Sequence, residues 1–357
     1  MKTRNLIPFP LFRLLLFSAV SATGAFAQDT IPPVSITGFV DTYFSYNFAK
    51  PVSGADALRN FDVTDNQFVV SQAEVSISRA AAPIGFHIDA DYGPATDLIQ
   101  TGTTGSFIAL QQAYATAVLP VGSGLTLDAG KFVTGMGYEV IKAKDNFNYS
   151  RSLSFAWSIP YFHLGLRASY PVSSSLTTTL MIVNGWNGVE VNRMKTFHLC
   201  VLYTASPSIT FGANWIGGQE APDSVNKTFR NVVEGLMTIS ATDKLTFGLD
   251  VTYGTEPIMG VTNLWKGLVG YAKYQVSEKC AIALRAEGYW DPEGFTTGTG
   301  QNLSEVTATY EYKPLPSLIV RTEFRHDAST ATVFSDDTGP ATVKSQNTLL
   351  LGAIVVF

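Results

Sequence analysis

The segment "CAIALRAEGYW" places Cys280, Ile282, Leu284, Ala286, Gly288 and Trp290 on one side of an extended chain, and Arg285, Glu287 and Tyr289 on the other. "LTFGLDVTY" repeats the arrangement, with Leu245, Phe247, Leu249, Val251 and Tyr253 set against Thr246, Gly248, Asp250 and Thr252. Successive side chains of a strand point to opposite faces, so a sustained period of two predicts a strand with one apolar and one polar face. Sixteen segments carry the pattern: 35–48, 67–79, 84–92, 107–119, 124–134, 161–170, 176–186, 196–204, 208–216, 229–240, 244–253, 264–276, 280–290, 303–312, 317–327 and 346–357. Their lengths suit tilted strands crossing a bilayer, which need roughly 9–11 residues each.

The connections alternate in length. Seven are tight: "AAAP", "PVGSG", "PVSSS", "ASP", "ATD", "SEK" and "KPLP". Eight are long, at 49–66, 93–106, 135–160, 187–195, 217–228, 254–263, 291–302 and 328–345. Short turns on one side and longer loops on the other predict an all-β fold, a closed antiparallel transmembrane β-barrel with periplasmic turns and outer loops. The count is about 16 strands, and merging or splitting one hairpin gives 14 or 18. Aromatics gather at the strand ends: Tyr46, Tyr92, Trp186, Trp215, Tyr253 and Trp290 toward the long loops, and Tyr170, Tyr203, Tyr274, Tyr312 and Phe357 toward the turns. Strand propensity alone would scatter them, whereas two membrane boundaries would collect them into girdles. The last segment, "QNTLLLGAIVVF", is expected to close on the first, which removes an otherwise sticky edge.

Composition agrees with this picture. The chain is 46% hydrophobic and only 15% charged, below the quarter usual for soluble domains, yet holds no apolar run of roughly 20 residues. Lys2, Arg4 and Arg13 precede "LLLFSAVSATGAFA", which reads as a secretory leader ending in A-x-A. The expected organisation is therefore a cleaved signal peptide, 1–27, followed by a barrel over 28–357. Removing the three leader cations leaves 21 basic against 29 acidic residues, a net charge near −8 that argues against nucleic acid. Cys200 and Cys280 fall on the eighth and thirteenth strands, too far apart to bond.

The polar faces carry Asp41, Glu74, His87, Asp89, Asp91, Asp128, His163, Arg167, Arg230, Glu234, Asp250, Arg285, Glu287, Glu305, Glu311, Arg321, Glu323 and Arg325. With the apolar faces outside, these eighteen are expected to line the lumen. A barrel of about 16 strands leaves an aqueous channel in which such groups stay hydrated at little cost. Acids outnumber arginines, which predicts a mild preference for cations or polar neutral solutes. The acids on the first three strands and Arg321 and Arg325 on the fifteenth are close around a closed barrel, so mutual pairing is the competing expectation. The longest connection, 135–160, mixes Lys142, Lys144, Asp145, Arg151 and aromatics, and is expected to fold inward and narrow the channel.

"GKFVTGMGYEV", "NYSRSLSFAWSIPYFHLGLRASY", "VNGWNG", "RTEFRHDAS" and the final "LLLGAIVVF" together resemble the OmpL-like beta-barrel porins, over nearly the whole stretch from "GFVDTYFSYNF" onward. The resemblance implies an outer-membrane diffusion channel and brings no substrate and no catalytic residue.

Rival functions have weaker support. A barrel hydrolase needs a nucleophile, a base and an orienting acid in contact, but "RHD" sets His326 and Asp327 on opposite strand faces. No G-x-S-x-G or H-E-x-x-H motif occurs. A plugged transporter would need a globular segment where only Gln28–Val34 stand before the first strand, and an adhesion or structural barrel would be expected to carry longer loops. "GSG" at 122–124 and "GTG" at 298–300 open no helix, so no nucleotide or other cofactor is expected, and no metal. The expected partners are the outer-membrane lipid bilayer, small polar solutes or ions, and further copies of the chain.

Overall fold

A computed structural model describes residues 31–98, 109–187, 192–222 and 228–357. The leader expected at 1–27 lies outside the described residues, as do the first two residues of the strand expected at 107–119. Sixteen strands are present among the described residues. The first six are β1 (Val34–Asn47), β2 (Phe68–Arg79), β3 (Ile84–Tyr92), β4 (Ala109–Leu119), β5 (Leu125–Val133) and β6 (Phe162–Pro171). The next five are β7 (Leu176–Val183), β8 (Thr196–Ser206), β9 (Ile209–Gly218), β10 (Arg230–Ser240) and β11 (Leu245–Ile258). The last five are β12 (Val261–Gln275), β13 (Cys280–Asp291), β14 (Gln301–Leu315), β15 (Leu318–Ser329) and β16 (Ser345–Val356). Each pairs antiparallel with its sequence neighbours, and β1 closes on β16 from Phe39↔Val356 to Asn47↔Thr348. Phe357 extends the seam: its N–H donates to the Gly38 carbonyl and the Gly38 N–H to its own, both at 3.0 Å. No strand edge is left unpaired around the sheet.

The two faces divide as the alternation requires. On β13, Leu284 is 50% exposed on the outside while Arg285 is 0% exposed on the inside. On β16, Leu349, Leu351 and Val355 look outward, and Leu350 and Ile354 pack inward with Phe39, Tyr43, Tyr149 and Ile319. Ten of the eleven strand-end aromatics stand on the outer face. Trp186 does not. The strand expected over 176–186 ends at Val183, and beyond it Trp186 packs against a cluster rich in aromatics inside the barrel mouth.

A second departure lies at 254–263, expected as a long loop. β11 and β12 stay paired to Ile258↔Val261, so only Met259 and Gly260 connect them. Both take positive φ, +49° and +85°, as a type I′ hairpin turn demands. The apolar alternation stops at Tyr253, and Pro257 discourages a strand reading. Backbone pairing nonetheless continues, because proline is tolerated in a ribbon at the rim of a sheet.

The connection between β5 and β6 folds into the barrel. Tyr138, Ala143, Tyr149, Leu153 and Phe155 are buried there. A short helix, Leu153–Trp157, begins at Ser152, whose hydroxyl accepts the Phe155 N–H at 3.0 Å. The first outer connection folds over it, with Phe61 packed 6.0 Å from the Phe155 ring and 5.8 Å from Tyr161. Phe334 of the last outer connection joins the same cluster.

Two inward-facing glycines make room for the inserted segment. A Cβ on Gly248 would collide with the Tyr138 ring, and one on Gly352 would lie 2.7 Å from Tyr149 Cδ2. Gly235 faces outward with nothing within 4 Å of a Cβ. Gly248→Ala and Gly352→Ala should each lower unfolding stability in detergent by about 1–3 kcal/mol, the usual cost of overpacking. Gly235→Ala should be neutral or slightly stabilising. Equal effects at all three positions in urea titrations would refute the close packing.

Candidate functional site

All eighteen sequence-nominated residues lie on inner strand faces. Sixteen are buried, while His87 and Arg230 are half-buried. The strand period of two explains the placement. It does not explain the burial, much of which comes from the inserted segment between residues 135 and 160.

That segment is largely irregular, so its peptide groups need partners from elsewhere. Carboxylates of the wall accept its N–H groups. Glu234 takes Gly137 N–H at 2.9 and 3.1 Å, and Asp250 takes Tyr138 N–H at 3.2 Å. Glu323 accepts from Tyr149 N–H at 2.6 Å and Ser150 N–H at 2.9 Å. Glu287 accepts from Leu153 and Ser154 N–H, both at 2.6 Å, and from the Ser154 hydroxyl at 2.5 Å. Arginines of the wall donate to its carbonyls. Arg321 reaches Ala143 O at 2.6 Å, Asn146 O at 2.7 Å and Asn148 O at 3.1 Å. Arg285 reaches Ser150 O and Arg325 reaches Arg151 O, each at 2.6 Å. Hydrogen bonds to charged groups contribute about 1.5–3 kcal/mol each, more than neutral ones.

The same arginines are neutralised along the wall. Arg285 pairs with Glu305 at 2.7 Å and with Glu139 of the segment at 2.7 Å. Arg321 pairs with Glu311 at 2.7 Å, and Arg325 with Asp327 at 2.7 Å and Glu305 at 3.2 Å. On the opposite side of the seam, Lys142 bridges Glu74 at 2.5 Å and Asp89 at 2.9 Å. Burial alone would lower the Lys142 pKa, but Asp89 and Glu74 hold it above the ordinary lysine value. Tyr149 donates its hydroxyl to Asp41 at 2.7 Å. Burial, and then the charge of Asp41, keep that phenol well above its usual pKa, so it remains a donor. Thus the acids of β1–β3 and the arginines of β15 do not meet each other across the seam. Asp41, Glu74 and Asp89 on one side and Arg321 and Arg325 on the other meet the inserted segment.

The remaining nominees are held nearer the wall. Asp91 accepts from Gln72 at 2.9 Å, His87 lies 2.8 Å from Asp89, and Arg167 pairs with Asp128 at 2.8 Å. His163 bonds Gly185 O at 3.3 Å and the Thr134 hydroxyl at 3.2 Å. Arg230 pairs with Glu256 at 2.6 Å.

Several inner residues escaped the sequence reading. Asp327 continues the parity of Arg321, Glu323 and Arg325 and was findable from it; it binds Arg59 of the first outer connection at 2.8 Å. Arg59, Asp56 and Glu139 are loop residues with no periodicity to place them, and each is buried. His326 sits on the outer side of β15, bonded to Asn347 at 2.8 Å, so it does not face Asp327. Cys200 and Cys280 are both free thiols. Among the described residues, no three His, Cys, Asp or Glu side chains converge to hold a metal.

Comparison with known proteins places this architecture. The chain resembles the outer membrane channel DcaP of Acinetobacter baumannii, with TM-score 0.61, 11% identity, and coverage of 93% of this chain and 99% of that one. It resembles an anion-selective porin from Comamonas acidovorans, with TM-score 0.62, 11% identity, and coverage of 91% and 99%. A trimer form of in-vitro folded OmpT from Vibrio cholerae is similar at TM-score 0.59 and 12% identity, covering 92% and 100%. No curated protein matches the sequence. At these identities the structures speak for the fold. The sequence itself matches, over residues 33–357, the family described as "Putative beta-barrel porin-2, OmpL-like". The chain therefore belongs to this OmpL-like family of beta-barrel porins, and its sixteen-stranded barrel is an outer-membrane porin channel.

Proposed function

We propose that the barrel passes small polar solutes or ions by passive diffusion, with the segment 135–160 setting the width of the passage and the outer apolar face in contact with lipid. The observation that carries this reading is the grip of the wall on the segment's peptide groups. An anchored segment narrows a bore permanently, where a loose loop would only visit it. Channel rather than enzyme is the reading favoured by the family and by the separation of His326 from Asp327. The trimer form of OmpT supports assembly of several copies.

The sign of the lining favours cations. The eighteen nominees hold eleven carboxylates and five arginines. The segment adds Lys142, Lys144 and Arg151 against Glu139 and Asp145, a surplus of one positive charge that leaves the excess acid in place. Charged rings along a pore bias the ions that enter it.

Deleting 140–156 should raise single-channel conductance in planar bilayers several-fold over a small native value; equal conductances would show that the segment does not set the passage. Reversal potentials in a potassium chloride gradient should carry the sign of mild cation selectivity, and a clear anion preference would overturn the assignment of the lining. A nitroxide at Leu284 should be readily relaxed by oxygen dissolved in the bilayer. Shielding there would mean that the outer face does not meet lipid.

A further inference from the structure

At the outer mouth, between the inserted segment and the wall, lies a cavity of about 360 Å³. Among the residues that line it are the rings of Trp157, Trp186 and Phe295 and the polar side chains of Asn60, Asn187 and Arg230. We infer that this cavity is a binding site for an uncharged saccharide, which it captures before passage. The inference rests on the channel reading and names the substrate class that the channel would select.

The chemistry argues for a sugar by exclusion and by fit. A simple anion has no use for aromatic rings, which offer their surface to C–H groups and cations. A cation would meet Arg230 and no carboxylate in the cavity lining. A carboxylate solute would need an unneutralised cation, but Glu256 holds Arg230 Nε at 2.6 Å. A pyranose has both features the cavity offers to match: a C–H face for the ring surface that Arg230 and Trp265 leave uncovered, and hydroxyls at its edge for the amides. Ligand sites commonly combine an apolar lining with a few placed polar groups in this way.

The groups are also held in place before any ligand arrives. Arg230 is stacked 4.6 Å over Trp186 and 5.5 Å over Phe295. Phe295 in turn stacks at 5.3 Å on the buried Trp265. Trp157 is fixed by its indole N–H to Leu58 O at 3.3 Å. Asn60 donates its amide to Ala156 O at 3.0 Å, and Asn187 Oδ1 accepts the Tyr161 N–H at 2.9 Å. Those bonds use one end of each amide and leave Asn60 Oδ1 and Asn187 Nδ2 for a ligand. Rigid partners reduce the ordering cost of binding.

The test uses the full mature chain in planar bilayers with maltotriose added on the outer-loop side. Maltotriose should interrupt the ionic current in a saturable way, and Trp186→Ala should raise the half-blocking concentration about tenfold, the loss of roughly one aromatic contact and its burial. Each variant is normalised to its own sugar-free current, and folding is checked by heat-dependent gel mobility. Trp186→Phe should restore most of the block, and Asn187→Ala should weaken it where Trp186→Ala fails to fold. Absence of block, block unchanged in a folded variant, or stronger block by benzoate than by maltotriose would overturn the inference. Intrinsic tryptophan fluorescence of the detergent-folded protein separates the two readings. Quenching by maltotriose without conductance would retain the pocket and remove the channel; conductance without quenching or block would do the reverse.

Discussion

An irregular backbone placed inside a barrel brings an N–H donor and a C=O acceptor at almost every residue, and each must find a partner there. The strands cannot help with their own peptide groups, which are spent on the ladder that closes from β1 to β16. Side chains have to supply both kinds of partner. A carboxylate accepts two or more N–H groups at once, and a guanidinium donates to several carbonyls at once. This is the arrangement around residues 137–154, where Glu323 and Glu287 each collect adjacent N–H groups and Arg321 spans three carbonyls.

The same requirement accounts for the mixed sign of the inner face. A wall of acids alone would leave the carbonyls unmatched, and removing an isolated charge from water costs more than a single hydrogen bond returns. Arg285, 0% exposed, answers both problems by touching Glu305, Glu139 and Ser150 O together. The wall charges are therefore part of the scaffold that holds the inserted segment. That the outer mouth is also packed, by Phe61, Phe155 and Phe334, follows from three outer connections contributing to one cluster. Apolar burial then supports what the polar anchors position.

Much of the barrel was legible in the sequence because the period of two is a property of every strand, and burial on one side only preserves it. Leu284 against Arg285 and Leu349 against Leu350 follow from parity alone. Parity failed where the chain left the bilayer-spanning zone. Nothing in "TEPIMGVTN" advertises the ribbon that Ile258 and Val261 complete, since positive φ at Met259 has no composition signal. Trp186 looked like a girdle residue because it continues the alternation of β7, yet the strand ends at Val183 and parity no longer decides its side. The candidate charges were found for the right geometric reason, their shared face. Their partners were not, because a loop's path across a lumen depends on contacts between residues more than a hundred positions apart, as between Tyr149 and Asp41.

The anchors that hold the inserted segment mostly grasp its peptide groups. Gly137, Tyr138, Leu153 and Ser150 are each recognised through an N–H that any amino acid but proline would present. The trajectory of the segment is thus written largely in the surrounding wall, and Lys142, Glu139 and Tyr149 add side-chain fixings of their own. An exchange in the segment that keeps the N–H leaves these particular anchors in place, whereas one that removes a carboxylate or guanidinium from the wall releases several peptide groups at once.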